Sequence, residues 1–263
     1  MAGSKKAAKW PLAYKQVDLN QDGNLIKLVA IITMVIDHTG KMLFKSNTMR
    51  IVGRLSFPLF AYCIAMGCVY TRNHTKYISR LTMIGLISQP FYALSLAHTV
   101  PAMYAISFRD NPVGAVVNFY VQSWAYPNIF LTLILGILVI WTIREKQLWL
   151  TLALMLFVWK AQSAVNYGWK GVALIVLFYL FINHWWLSLP VMTAYMFWWG
   201  LSSGQSYRLF GVSFGIQMFA LLALPLIYIH THSKLKVNKW VFYLLYPGHL
   251  IGLLLIELAL KSI

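Results

Sequence analysis

From Gly171 to Tyr207 the chain carries no Asp, Glu, Lys or Arg. Such a stretch cannot coat a water-soluble domain, whose residues are about one quarter charged. The whole chain follows suit: 60% of its 263 residues are AVILMFWYC and 11% are charged, with a mean hydropathy of +0.66. The sequence therefore reads as an integral membrane protein. Apolar runs of helical length fall at 25–45, 51–71, 77–98, 128–143, 147–160, 168–183, 184–200, 210–230 and 240–259. A helix needs about 20 residues to cross roughly 30 Å of hydrocarbon, so the expected fold is all-α, a polytopic membrane helical bundle of about nine transmembrane helices, with eight to ten as the range. The paired tryptophans of His184-Trp185-Trp186 and Phe197-Trp198-Trp199 look like interfacial belts and divide the uncharged stretch into two spans. Pro101, Pro112 and Pro127 break 99–127 too often for a plain span, but Val113 to Trp124 is apolar enough to lie in the interface or re-enter.

The 22 Lys+Arg outnumber the 6 Asp+Glu, giving a formal +16. In a soluble protein that excess would point to nucleic acid; here most of the basic residues border apolar runs, where they set topology and meet lipid headgroups. Residues 1–24 form a basic segment (Lys5, Lys6, Lys9, Lys15) expected in the cytoplasm, and 25–263 a single multi-span domain. The first apolar run is too long for the core of a cleavable signal and reads as an uncleaved span. Basic residues are commoner in the connections on the N-terminal side, which places the N-terminus inside and the C-terminus outside. Cys63 and Cys68 lie about 140° apart round a helix, a spacing that suits packing rather than a bridge.

An ionisable side chain at bilayer depth costs several kcal/mol unless paired or hydrated, so the polar residues inside the runs carry the information. Asp37 and His38 lie two-thirds along the first run, Arg54 one turn into the second, Gln89 within the third and His249 within the last. Helical rise brings His38, Gln89 and His249 to similar depths. Pro58, Pro90 and Pro247 each lie close to one of these residues and free the carbonyls of Arg54, Leu86 and Tyr243. Freed carbonyls at membrane depth belong where they face protein or a water-filled cavity. Packing alternatives are an Asp37–Lys41 pair one turn apart and an Arg54 that snorkels outward.

The runs Ile26 to His38, Gly53-Arg54-Leu55-Ser56-Phe57-Pro58-Leu59-Phe60, Arg80-Leu81 with Ser88-Gln89, Asn128-Ile129, Tyr167-Gly168 and Tyr246-Pro247-Gly248-His249-Leu250 together resemble the TraX family of membrane acetyltransferases, whose best-known member modifies the N-terminus of conjugative pilin. The resemblance covers about Leu25 to Leu255 and implies a multi-pass protein of the bacterial inner membrane. It also implies transfer of an acetyl group from acetyl-CoA to an amine, with a pilin-like membrane peptide or another membrane acceptor as partner. Carried over residue by residue, the family's polar positions fall on Asp37, His38, Arg54, Arg80, Gln89, Asn128 and His249. The long basic N-terminus and the extended 99–127 segment depart from the family pattern and bear on the acceptor.

An amine attacks a thioester only when unprotonated, and histidine is the side chain suited to take that proton near neutral pH. His38 is the expected base. Asp37, about 100° round the helix from it, is expected to anchor Arg54 or to orient His249. Arg54, Gln89 and Asn128 are candidate oxyanion donors. Arg72, Lys76 and Arg80 are the expected counter-charges for the phosphates of acetyl-CoA, and no metal is expected. Alternatives are O-acetylation of a membrane-associated glycan, a transporter or channel lined by the same polar residues, and a structural pilus-assembly or lipid-binding role.

Overall fold

The computed structural model describes residues 17–96, 98–202, 206–209 and 212–262. Lys5, Lys6, Lys9 and Lys15 lie outside them. Short polar side chains start most of the helices, as expected of N-caps. Asp22 caps α1 (Gly23–Met42) by accepting from Leu25 N, and Ser46 caps α2 (Asn47–Gly53) by accepting from Met49 N. A break at Arg54-Leu55 separates α2 from α3 (Ser56–Tyr70), so that Pro58 falls in the first turn of α3 and removes no interior hydrogen bond. Asn73 caps α4 (His74–Ser95), Asn111 with Pro112 opens α5 (Pro112–Ser123), and Asn128 caps α6 (Ile129–Arg144). Then follow α7 (Leu148–Lys160), α8 (Gly168–Leu180), α9 (Trp185–Leu201), and an antiparallel hairpin of β1 (Ser206–Leu209) and β2 (Val212–Gly215). A 3-10 segment Ile216–Ala223 leads into α10 (Leu224–Tyr228), and α11 (Lys239–Lys261) ends the fold.

The described fold is thus almost wholly helical, and the apolar runs read from the sequence correspond to its helices except at 210–230, which takes in β2 and a 3-10 segment before α10. At one end, Asp18 N donates to Ile182 O, Asn20 N to Ile227 O, and Arg144 Nη1 to Cys68 O. At the other, Lys170 Nζ donates to Ser202 Oγ and Thr132 Oγ1 to Asn166 O. Consecutive long helices therefore run in alternating directions between the two ends. α3 sits at the centre against α1, α6 and α8, whereas α11 packs on α1 and α4 with most of its surface outward. Cys63 and Cys68 are free and buried in that centre.

Among the described residues two helical stretches, Asn47–Tyr70 (α2 and α3 taken together across their break) and Trp240–Lys261, are long and apolar enough to cross a membrane. Others, such as Leu148–Lys160 and Gly168–Leu180, are apolar but only 13 residues long, about 20 Å at helical rise. α1 and α4 have the length, at 20 and 22 residues, but carry ionisable side chains. Length and apolarity together thus single out two spans where the sequence pattern suggests nine. The exterior is nonetheless apolar: Leu148 and Trp149 on α7, Trp186 on α9 and Leu244 on α11 are more than half exposed. Exposure of large apolar side chains on so many faces suits a non-aqueous surround.

The segment after α10 returns to α1. Asp22 accepts from Ser233 N at 2.6 Å and Thr231 Oγ1 at 3.4 Å, besides Leu25 N at 3.2 Å. Burial pushes the Asp22 carboxyl up, but the bonds from Ser233, Leu25 and Thr231 outweigh it and hold the group below its ordinary 3.8. A depressed folded-state value means that this stabilisation is complete above pH 3.8 and is lost as pH falls through the folded value. Asp22→Asn is therefore expected to lower the melting temperature in detergent at neutral pH, with the gap to wild type closing in acid. A gap that is the same at pH 7 and in acid would remove the carboxylate from the argument.

Candidate active site

Lys27, Ile31, Met34, His38 and Lys41 recur at steps of three and four along α1, so they share one face over about 21 Å. All five line one cavity of about 600 Å³. Near Lys27 it is bounded by Tyr70, Thr71, Tyr77 and Arg80; near Lys41 by Arg50, Arg54, His98, Asn166 and Tyr167. Phe57, Phe60, Ile64, Phe130 and Leu133 give it an apolar middle.

Asp37 Oδ1 accepts from Arg54 Nη2 at 2.6 Å, and Arg54 Nε donates to Arg50 O at 3.2 Å. The ion pair is largely buried, with side chains 16% and 12% exposed. α1 and α2 approach closely enough that a Cβ on Gly53 would lie 2.2 Å from the Asp37 Cβ. Asp37 thus anchors Arg54, one of the two partners expected of it. Lys41 meets His98 instead, with its Nζ 3.4 Å from His98 Nε2.

His249 pairs with His38. Their rings stack with centroids 5.1 Å apart, and His38 Nδ1 lies 2.8 Å from His249 Nε2. His249 Nδ1 lies 2.9 Å from Leu245 O. A carbonyl only accepts, so His249 Nδ1 carries the hydrogen and its Nε2, in the neutral ring, holds a lone pair. His38 Nδ1 must then donate to that lone pair, which leaves His38 Nε2 as an acceptor. This assignment follows from the order of bonds, since only Leu245 O has a fixed role. His38 lines the cavity and His249 does not.

Gln89 and Asn128 are not brought to the cavity. Gln89 Nε2 donates to Ser123 O and Tyr126 O, and its Oε1 accepts from Asn128 N. Asn128 Nδ2 donates to Gly85 O while its Oδ1 caps α6. Both are buried clamps that tie α4 to α6 and to the chain after α5, so their amides are committed and the depth they share with His38 does not become contact. Leu86 O, freed by Pro90, is met by Tyr120 Oη of α5 at 3.1 Å. Of the three cations expected for phosphates, Arg80 lines the cavity, whereas Arg72 and Lys76 are exposed outside it.

Lys27, Lys41, Arg50 and His98 also line the cavity, although the sequence offers Lys41 only as a packing partner for Asp37 and Arg50 only as a topology signal. The three- and four-residue steps from Lys27 to Lys41 are the signal that groups the α1 members. Tyr167 has φ +61°, a left-handed conformation rare for an aromatic residue, followed by Gly168 at φ +55°. That turn holds the Tyr167 ring on Phe57 at a centroid distance of 4.0 Å beside the cavity, which gives the Tyr-Gly pair a physical reason. Among the described residues no group of three or more His, Cys, Asp or Glu is arranged to hold a metal ion.

A helical protein with an apolar exterior, a buried ion pair and paired imidazoles beside a two-ended cavity is the class that these observations define. Residues 22–257 match the family described as TraX protein, and the chain belongs to the TraX family. It is 28% identical over 239 residues to the probable fimbrial assembly protein FimC, serogroup H1, of Dichelobacter nodosus, a match that covers 86% of this chain and 91% of that protein. No solved structure matches it significantly.

Removing one partner of a buried ion pair leaves a lone charge, at about 3 kcal/mol. Asp37→Asn and Arg54→Gln are each expected to destabilise the protein by about that much, and the double variant by less than the sum. Chemical unfolding of the three variants measures this coupling; additive losses would mean that the pair contributes nothing as a pair.

Proposed function

We propose that this protein is an integral membrane acetyltransferase that moves an acetyl group from acetyl-CoA to an amine, the N-terminus of a pilin-like membrane peptide. The observation that carries the reading is the bond order from Leu245 O through His249 to His38, which leaves His38 Nε2 an acceptor beside the cavity. An N-terminal amine is largely ammonium below its ordinary value of about 8 and must lose a proton before it attacks. His38 Nε2 takes that proton. His249 is a positioning residue that fixes the tautomer. Arg54, held by Asp37, is a fixed cation where negative charge develops on an acyl oxygen.

Acetyl-CoA supplies the activated acyl carbon and its thiol leaving group. The residues present fit such a molecule: cations stand at both ends of the cavity and an apolar middle separates them. Lys27 and Arg80, with Tyr70 and Thr71 beside them, would hold the phosphates. In the membrane arrangement we propose, α2 with α3 forms one crossing and Ile216–Tyr228 another, which makes nine with α1, α4, α6, α7, α8, α9 and α11. The N-terminus is then in the cytoplasm of a bacterium, the bilayer is the inner membrane, and Lys27 and Arg80 lie at the cytoplasmic side. The alternating helix directions support this count. A pilin acceptor is supported by the fimbrial assembly name of the Dichelobacter relative.

Purified protein in detergent is expected to bind acetyl-CoA, with Lys27→Glu/Arg80→Glu weakening binding at least tenfold in a salt-dependent way. Arg72→Glu/Lys76→Glu is expected to stay close to wild type; the reverse pattern would move the phosphate site back to the exposed pair. His38→Ala is expected to abolish transfer while acetyl-CoA still binds. Intact mass of the host's pilins is expected to fall by one acetyl group when the protein is removed. Unchanged pilin with altered glycan acetylation would redirect the reading to a hydroxyl acceptor.

A further inference from the structure

Around the cavity stand Lys27, Lys41, Arg50, Arg54 and Arg80, and Asp37 is the only carboxylate among its lining residues. Asp37 is committed to Arg54. Lys27 and Arg80 belong to the opposite end, so beyond His38 the cations Lys41, Arg50 and Arg54 share that single carboxylate. The nearest polar partner of Lys41 Nζ is an imidazole nitrogen at 3.4 Å, which offsets no charge. Arg50 Nε is buried with no hydrogen-bond partner among the described residues. Lys41 is exposed and Arg50 half-buried, and cations held close together are unfavourable unless an anion joins them.

An ammonium arriving here would meet Lys41, Arg50 and Arg54 against one carboxylate, a net charge of about +2, and would be repelled. A negative group carried beside the amine removes that barrier. The remaining positive field then favours the neutral, nucleophilic form of the amine over the ammonium.

We propose that Lys41 and Arg50 form an anion subsite that takes the carboxylate of an acidic side chain near the N-terminus of the acceptor peptide. The proposal rests on the amine-acceptor reading. A peptide carboxylate suits the site because it must share the cavity with the group that reacts at His38, which a separate lipid headgroup does not do. The guanidinium of Arg50 supplies the directional donors and Lys41 a point charge.

The test uses the full-length protein in phosphatidylcholine nanodiscs and two synthetic membrane-spanning peptides with free N-termini, one with Glu close to the N-terminus and one with Gln in its place. Peptide binding without acetyl-CoA is read first, and acetyl transfer second. The Glu peptide is expected to bind at least tenfold more tightly, a difference of about 1.4 kcal/mol that shrinks with salt. Arg50→Gln and Lys41→Gln are each expected to reduce that preference, and Lys41→Glu/Arg50→Glu to favour a Lys peptide. Equal binding of the Glu and Gln peptides to wild type overturns the subsite, and needs no variant to fold. Loss of the preference when phosphatidylglycerol is added would assign the subsite to a lipid phosphate and also overturn it. A Glu peptide that binds selectively but is never acetylated leaves the subsite standing and sinks the acetyltransferase reading.

Discussion

The Asp37–Arg54 ion pair is the constraint around which the polar part of the fold is arranged. A lone carboxylate or guanidinium in apolar surroundings is costly, so each must find the other. Arg54 sits at the break between α2 and α3, where its side chain can turn back to α1, and Gly53 leaves room for the approach. Once α1 is fixed against that break, the residue after Asp37 is carried round the helix to face α11. His38 is therefore oriented by a bond that it does not itself make.

The same demand for partners explains the other staples. Arg144 donates to Cys68 O and meets His74 Nε2 at 2.8 Å, and so joins the ends of α3, α4 and α6. Gln89 and Asn128 do the same between α4 and α6. Each staple uses backbone carbonyls as acceptors, which suits a chain with 6 acidic residues. With so few carboxylates to neutralise 22 Lys+Arg, most cations are left to water, lipid or a ligand, and the cavity concentrates several of them.

Much of this was legible in the sequence because apolar runs act locally. The helix starts at Asp22, Ser46, Asn73, Asn111, Asn128 and Asn238 are short-range chemistry as well, and Pro90 marks where a carbonyl, that of Leu86, needs an outside partner. Asp37, His38, Arg54 and His249 stood out because polar groups are scarce in those runs. Gln89 stood out for the same reason, yet scarcity cannot tell a clamp from a binding group; that depends on what lies across the helix, here the backbone after α5. Arg50 was hidden by the opposite effect, since basic residues at the ends of apolar runs are ordinary, and Lys41, one turn from Asp37, read as its packing partner. Only the fold, by bringing the ends of α1 and α2 together over one cavity, sets them apart.

The histidine pair shows how an otherwise outward-facing helix comes to bear on the cavity. α11 is largely exposed, yet Leu245 O and His249 together fix the hydrogen on His38. A shift of α11 against α1 by one residue, about 1.5 Å of rise and 100° of rotation, would carry His249 off the His38 ring. The register is held by Ser95 Oγ of α4 donating to Leu250 O at 2.9 Å and by Phe130 of α6, in the cavity wall, packing edge-on against Tyr246 at 4.7 Å. The clamps Gln89 and Asn128 fix α4 relative to α6, and α4 with α6 fixes α11. Residues whose amides never reach the cavity therefore determine which nitrogen of His38 is free to accept a proton.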